Sequence, residues 1–353
     1  MIRWILLALV PVGPILHALG LPPIWVFLSG ILGVGVLADW IRRATDQLAG
    51  HTGAAVGGLL SVSLGSLAEL LLALFVLARG AADVVHAQIT GSIIGTSLLG
   101  LGLAIIVGGA GREHQTFKRE RAGLLSSLLI LVVIALLLPA VFDLTARQVV
   151  HAGHVAVSEE SLSLIVSAVL LLIYLGNLAY TLVTHRDVFS TGEAGDETAQ
   201  AWPLWRCIAI LAAATAVAAW ESDLISDALS DASRTLHLSP TFLGVIVLAL
   251  VGNVADLFSA IWFARQGRLG LVMSICIGSA IQMALVVAPL LVILSWLMGS
   301  PMTLVFTNPL DLFAIAGTAF IVNAIAGDGE TTWFEGVLLV GVYCLLGTAF
   351  FFA

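Results

Sequence analysis

Charge is what this chain has least of: Asp, Glu, Lys and Arg make up 10% of its 353 residues, while 60% are hydrophobic. A mean hydropathy of +1.09 excludes a single soluble core, because that much apolar surface cannot be hidden inside one globule. Cysteine is almost missing. Cys207, Cys276 and Cys344 sit in apolar runs without metal-ligand spacing, so they read as small buried hydrophobes and not as a disulfide frame or a zinc site. A basic excess is missing too: the net charge of -8 argues against nucleic acid as a partner and, at most, gathers cations at a surface. No His-Glu-x-x-His helix occurs, which removes the metalloprotease reading.

What the chain has instead is apolar stretches long enough to cross a bilayer, roughly over 3–19, 24–43, 52–78, 84–110, 121–142, 160–184, 203–230, 239–265, 269–298, 304–325 and 331–353. This predicts an all-α integral membrane protein, embedded in the lipid bilayer, with about eleven transmembrane helices. Pro11 and Pro14 interrupt the first stretch, and Arg3 before a short apolar run also fits a signal peptide, so residues 1–20 are a leading helix or a removed segment. Of the 14 Lys plus Arg, eleven fall on one side: Arg3, Arg42, Arg43, Arg112, Lys118, Arg119, Arg121, Arg186, Arg206, Arg265 and Arg268. Arg79, Arg147 and Arg234 fall on the other, where the loops carry Glu159, Glu160, Glu221, Asp223 and Asp227. The positive-inside rule then puts the amino terminus in the cytoplasm, and the plasma (inner) membrane is the expected location.

Set against itself with an offset of 256 − 69 = 187 residues, the run from Gly65 to Ser92 pairs with the run from Gly252 to Ser279. Gly65, Ala68, Ala73, Gly80, Gly91 and Ser92 fall on Gly252, Ala255, Ala260, Gly267, Gly278 and Ser279, and Glu69 falls on Asp256. An odd number of spans separates the two acids, so the halves are expected to be inverted: residues 21–184 as spans two to six and 203–353 as spans seven to eleven. Residues 185–202, with Asp187, Glu193, Asp196 and Glu197, are expected to be an acidic cytoplasmic linker. Internal duplication around a buried acid is the mark of a secondary transporter.

A carboxylate in the middle of a bilayer is costly unless paired, hydrated or protonated. Every Lys and Arg is expected in a loop or near a span end, so no fixed positive partner is foreseen at the depth of Glu69 and Asp256. Their neutralising charge then comes from a bound cation or from protons in turn, which is what an exchanger needs. Gly65 and Ser66 precede Glu69 by four and three residues, and Gly252 and Asn253 precede Asp256 likewise, so each set shares a helix face. Glycine there permits a broken turn whose carbonyls point at an ion, Ser92, Ser279 and Gln282 add side-chain oxygens, and an all-oxygen set suits a hard cation. Gly91 and Gly278 are read as gating or helix-break glycines. Asn177, Asn323 and Asp311 are expected to make interhelical hydrogen bonds, His151 and His154 to lie in a solvated loop, and His86 to be at most a group that admits protons.

The segments GSLAELLLALFVLARG, VGNVADLFSAIWFARQG and IGSAIQMALVVAPLL resemble the signature repeats of the calcium/proton exchanger family, within the calcium/cation antiporter superfamily. The run DGETTWFEGVLLVGVYCLLGTAFFF resembles that family's last span and its lead-in, so the likeness covers nearly all of the chain from about residue 24. The resemblance implies that Glu69 and Asp256 are the two ion-binding acids, Gly65 and Gly252 carbonyl donors, and Ser92, Ser279 and Gln282 lining of the ion and proton path. Glu335 matches a family residue with no role assigned. Departures are Asp256 in place of Glu, Leu257 in place of His, and Ser66 and Thr96 in place of Asn.

The expected function is Ca²⁺/H⁺ antiport by alternating access, with cation and protons competing for Glu69 and Asp256. An antiporter for Na⁺, Mn²⁺ or Mg²⁺, a passive cation channel and an intramembrane aspartyl protease are the alternatives, in that order. Neither acid sits in a Tyr-Asp or Gly-x-Gly-Asp setting, which counts against the protease. No enzyme activity and no cofactor are expected; the cation is cargo.

Overall fold

The computed structural model describes residues 6–52, 64–149, 152–180 and 202–353, and these are nearly all helical. In chain order the helices are α1 (Val12–Ala18), α2 (Pro23–Thr52), α3 (Leu67–Ala78), α4 (Ala82–Gly109), α5 (Arg119–Val149), α6 (Ala152–Ala179), α7 (Leu204–Leu236), α8 (Pro240–Gly252), α9 (Val254–Arg265), α10 (Leu269–Leu297), α11 (Pro309–Asp328) and α12 (Trp333–Phe352). Among the described residues eight helices are long and apolar enough to span a membrane, and α8 with α9 makes a ninth, bent by 56°.

The expected count of eleven spans is therefore not confirmed among the described residues. Pro11 and Pro14 confine the leading helix to seven residues, ending near Gly20 at φ +67°. The expected span 52–78 is interrupted, because helix α3 starts only after Ser66, and residues 53–63 lie outside the described set. The linker 185–201 and His151 also lie outside it.

Helix ends follow the local chemistry. Ser239 and Asn308 precede Pro240 and Pro309, and their side-chain oxygens accept from the backbone N–H of Phe242 and Leu310. Glu335 has a structural task at the start of α12: its carboxylate accepts from the Thr332 N–H at 3.1 Å in a capping box. Gly329, at φ +76°, ends α11. Two short strands, β1 (Gln115–Thr116) and β2 (Glu330–Thr331), pair antiparallel and tie the α4–α5 connection to the α11–α12 connection.

Helices α4 and α10 form the centre, with 83% and 72% of their spanning windows buried, whereas α6 and α12 show 22% and face outward. Long α2 packs along α7, and α5 along α11, where the Ser126 hydroxyl donates to Asn323 Oδ1 at 3.1 Å. The internal offset reappears in three dimensions. Helices α3 and α9 are each twelve residues long and begin 254 − 67 = 187 residues apart. Stretches of π-helix open at Gly95 in α4 and Met283 in α10, within one residue of the same offset. Such wide turns recur at functional sites because they free backbone groups in mid-helix.

Candidate cation-binding site

Two helix breaks build the site. Ser66 (φ -98°, ψ 18°) and Asn253 (φ -93°, ψ 4°) leave helical geometry, and α3 and α9 start immediately after them. Glu69 and Asp256 are thereby the third residue of a new helix, where free backbone N–H groups and the positive end of the helix dipole favour negative charge. This is how an apolar sequence tolerates a carboxylate at depth.

Glu69 is enclosed, with 5% of its surface exposed. It leans across the molecule onto the break of the other half: a Cβ added at Gly252 would lie 2.7 Å from Glu69 Cγ and 2.9 Å from Oε1, so only glycine leaves room for it. The Ser92 hydroxyl donates to Glu69 Oε1 at 3.3 Å. Asn253 Nδ2 donates to the Ser92 oxygen at 2.7 Å and to the Ala249 carbonyl at 2.8 Å, while the Ser279 hydroxyl donates to Asn253 Oδ1 at 3.3 Å. A continuous chain of polar contacts thus runs from Glu69 through Ser92 and Asn253 to Ser279, joining both halves.

Asp256 stands in a different setting. Its carboxylate is one-quarter exposed and lines a cavity of about 380 Å³ together with Gly65, Ser66, Gly278, Ser279 and Gln282. Arg42 and Asp46 line the same cavity, and the Arg42 guanidinium forms an ion pair with Asp256.

That ion pair overturns the expectation that no basic residue reaches the depth of the acids. Helix α2 does not end near residue 43; it continues to Thr52, so Arg42 lies about 28 Å along a helix of roughly 45 Å. Both side chains are one-quarter exposed toward the cavity, which spares the charges much of the penalty of full burial. A signal was present in the sequence: Asp39, Arg42, Arg43 and Asp46 recur at three- and four-residue spacing, as on a continuing helix, and Arg43 does pair with Asp39 at 2.8 Å. Gln88, whose Nε2 donates to the Glu69 carbonyl at 3.4 Å, was also not foreseen.

The remaining assigned residues divide. Gly91 does not break its helix. It lies within the continuous first part of α4 where a Cβ would be 1.9 Å from the Val245 carbonyl oxygen, so it is a backbone-to-backbone crossing point with α8. Gly278 likewise sits inside unbroken α10, with open space where a Cβ would go, on the cavity wall. Glu221, assigned above to an outer loop, is instead fully buried in α7. Asp223, half-buried, and Asp227, exposed, both pair with Arg79 at the end of α3, the first at 2.7 Å. The Asp223 hydrogen bond and the two acidic neighbours hold the Arg79 guanidinium still more firmly protonated than usual. His86 is buried, with Nε2 2.8 Å from the Thr303 carbonyl oxygen and its ring against Phe306. Among the described residues no group of three or more His, Cys, Asp or Glu gathers as a metal site. The oxygen groups near the two breaks are two carboxylates with hydroxyl, amide and carbonyl oxygens, a donor type that suits a hard cation.

The family model of the sodium/calcium exchanger protein matches residues 22–183 and 207–352, most of the chain in two segments. A protein of Aphanothece halophytica named Ca(2+)/H(+) antiporter is 37% identical over 361 residues, covering 98% of this chain and 95% of its own. A Bacillus subtilis protein named Ca(2+)/H(+) antiporter ChaA is 35% identical over 319 residues, covering 89% and 88%. The solved structure of native YfkE superposes with a TM-score of 0.84 at 31% identity, covering 99% of this chain and 100% of that one.

Proposed function

This chain belongs to the sodium/calcium exchanger protein family, and on that premise we propose that it exchanges Ca²⁺ for H⁺ across a membrane, with cation and protons competing for Glu69 and Asp256. The observation that carries the reading is the pair of carboxylates placed at matched helix breaks, one enclosed and one open to a cavity. Two carboxyls carry two protons per cycle, which makes exchange against one divalent ion electroneutral.

In the arrangement described, the Asp256 side of the site opens to the cavity. The other side is closed by the α4–α8 crossing at Gly91 and Val245 and by the Arg79 pairs with Asp223 and Asp227. The distribution of basic residues supports a cytoplasmic amino terminus, so the open cavity faces the cytoplasm in the plasma membrane. The two halves, 21–184 and 203–353, act as inverted repeats, and rocking of α2 and α7 against the α4 and α10 core exposes the site to each side in turn. With both acids ionised the cation binds, and with both protonated it leaves, so apparent Ca²⁺ affinity falls as pH falls.

Arg42 has a part in this cycle. It pairs with Asp256 while that carboxylate holds neither a proton nor an ion, and an entering Ca²⁺ or a proton takes its place there. A tethered cation of this kind keeps the empty site from standing as two unpaired negative charges.

The purified protein in liposomes tests the assignment through Ca²⁺ uptake against an imposed pH gradient. Uptake is expected in the wild type and background flux in both Glu69→Gln and Asp256→Asn. Unchanged uptake in both variants rejects the site, Ca²⁺ flux indifferent to the gradient favours a channel, and parallel assays with Na⁺, Mg²⁺ and Mn²⁺ set the ion preference.

A further inference from the structure

The ion site is not the only place where this fold buries an acid. Glu221 is residue 18 of the 33 in α7, has no exposed surface, and neither of its carboxylate oxygens has a hydrogen-bond partner among the described residues. Its carboxyl group lies in a cradle of three glycines. A Cβ at Gly13 of α1 would be 2.7 Å from Oε2, one at Gly33 of α2 would be 3.2 Å from Oε1, and one at Gly30 would be 3.3 Å from Oε2. Alanine at any of the three would press on the carboxyl group.

Among the described residues, no Lys, Arg or His forms an ion pair with Glu221. The charged or titratable groups nearest along each packed element are His17, exposed near the end of α1; Asp39, paired with Arg43, and Arg42, paired with Asp256, on α2; Asp223 and Asp227 on α7 itself, tied to Arg79; and Glu69 on α3, while Asp46 and His51 on α2 and Arg206, Asp231 and Arg234 on α7 lie ten or more residues along from the contact. An ionised carboxylate without hydrogen bonds or counter-ion in such a place is prohibitive, so the packing seen here suits the neutral acid. At the matching position 34 of the first half stands Val34, so the feature belongs to one half only.

Helix α2 connects this cradle to the ion site. Gly30 and Gly33 meet Glu221 on one face of α2, whereas at Gly35 a Cβ would lie 3.4 Å from Val254 and 3.8 Å from Val251, either side of the break that carries Asp256. Arg42 extends from the same helix. Motion of α2 that withdraws Arg42 from Asp256 therefore also slides the glycines past the Glu221 carboxyl group.

We propose that Glu221 is a second proton-binding site, separate from the ion site, which holds a proton while α2 and α7 pack as described and releases it when α2 moves. On release the carboxyl O–H bond breaks, the proton passes to water admitted between the helices, and a carboxylate remains; no other bond changes. The site thus makes the position of the gating helices sensitive to pH independently of ion competition. The link to α2 motion rests on the exchange reading; the presence of the proton does not.

Infrared difference spectroscopy of the full-length protein in lipid, using Ca²⁺ itself and pH steps as triggers, tests both parts. An unbonded carboxylic acid absorbs at the high-frequency end of the C=O range. The expected result is such a band in the metal-free state, shifted in D₂O, absent from Glu221→Gln and diminished on adding Ca²⁺. A missing band in the wild type overturns the proposal, and a band indifferent to both Ca²⁺ and pH overturns the coupling. Gly33→Ala is expected to shift the band, which keeps the assignment testable if the glutamine variant does not fold. In liposomes Glu221→Gln is expected to retain exchange but lose part of its pH dependence, with rescue by Glu221→Asp. If the wild type proves to transport no Ca²⁺, the exchange reading fails while the pH-triggered band still reports on Glu221.

Discussion

The two halves of this molecule carry the same local device and hold it in opposite states. In the first half the break at Ser66 leads to Glu69, which is enclosed and bonded by Ser92; in the second the break at Asn253 leads to Asp256, which faces a cavity and an arginine. Gly91 is pressed against the Val245 carbonyl oxygen, whereas its counterpart Gly278 meets nothing. Arg42 has Leu229 as its counterpart, so among the described residues the second acid has a built-in cation and the first has none. Equivalent sequences in unequal surroundings are what alternating access requires, because one state must close one route while leaving the other open. The difference also teaches that symmetry of the ligand set does not extend to its electrostatics.

The sharpest way to break the comparison is to add one methyl group to each matched glycine. Gly91→Ala places a carbon where the Val245 oxygen already is, so the crossing must part; the expected loss is about 3 kcal/mol or more, with exchange abolished. Gly278→Ala meets open space and is expected to hold or raise stability, by about 0.5–1 kcal/mol from helix propensity. Thermal unfolding midpoints in detergent compare the two, and equal losses would mean that the asymmetry is not that of the folded protein.

A smaller effect is expected from Arg42→Gln. Removing the tethered cation leaves Asp256 free for Ca²⁺, so the half-saturating Ca²⁺ concentration on the cavity side is expected to fall by about tenfold, the equivalent of roughly 1.4 kcal/mol. Arg42→Lys should retain most of the wild-type value. A rise in the Ca²⁺ requirement of the glutamine variant would show that Arg42 positions Asp256 rather than competing for it.

The smallest contrast lies in the matched serines. The Ser92 hydroxyl donates to the carboxylate, and that of Ser279 to the Asn253 amide oxygen. Ser92→Ala is expected to weaken Ca²⁺ binding by roughly 1 kcal/mol, several-fold in affinity, and Ser279→Ala by less, as befits a neutral hydrogen bond one step removed. Isothermal titration with Ca²⁺ compares them, and a larger loss in Ser279→Ala would place the ion nearer the cavity wall than the enclosed acid.

Composition and the offset of 187 residues determined a good deal unaided. Apolar runs of spanning length have no stable setting but lipid, and a repeated Gly-x-x-x-acid unit places each carboxylate near a helix break whatever packs around it. What only the tertiary structure decided is which charges meet. Where α2 stops, and hence that Arg42 arrives at Asp256, depends on a helix continuing beyond its apolar run. That Glu221 is buried between glycines of two other helices, instead of lying in an acidic loop, depends on how α1 and α2 pack on α7. Periodicity reports the face a residue occupies along its own helix, but the depth of that helix and the atoms opposite are set by distant segments of the chain, through contacts that no local pattern encodes.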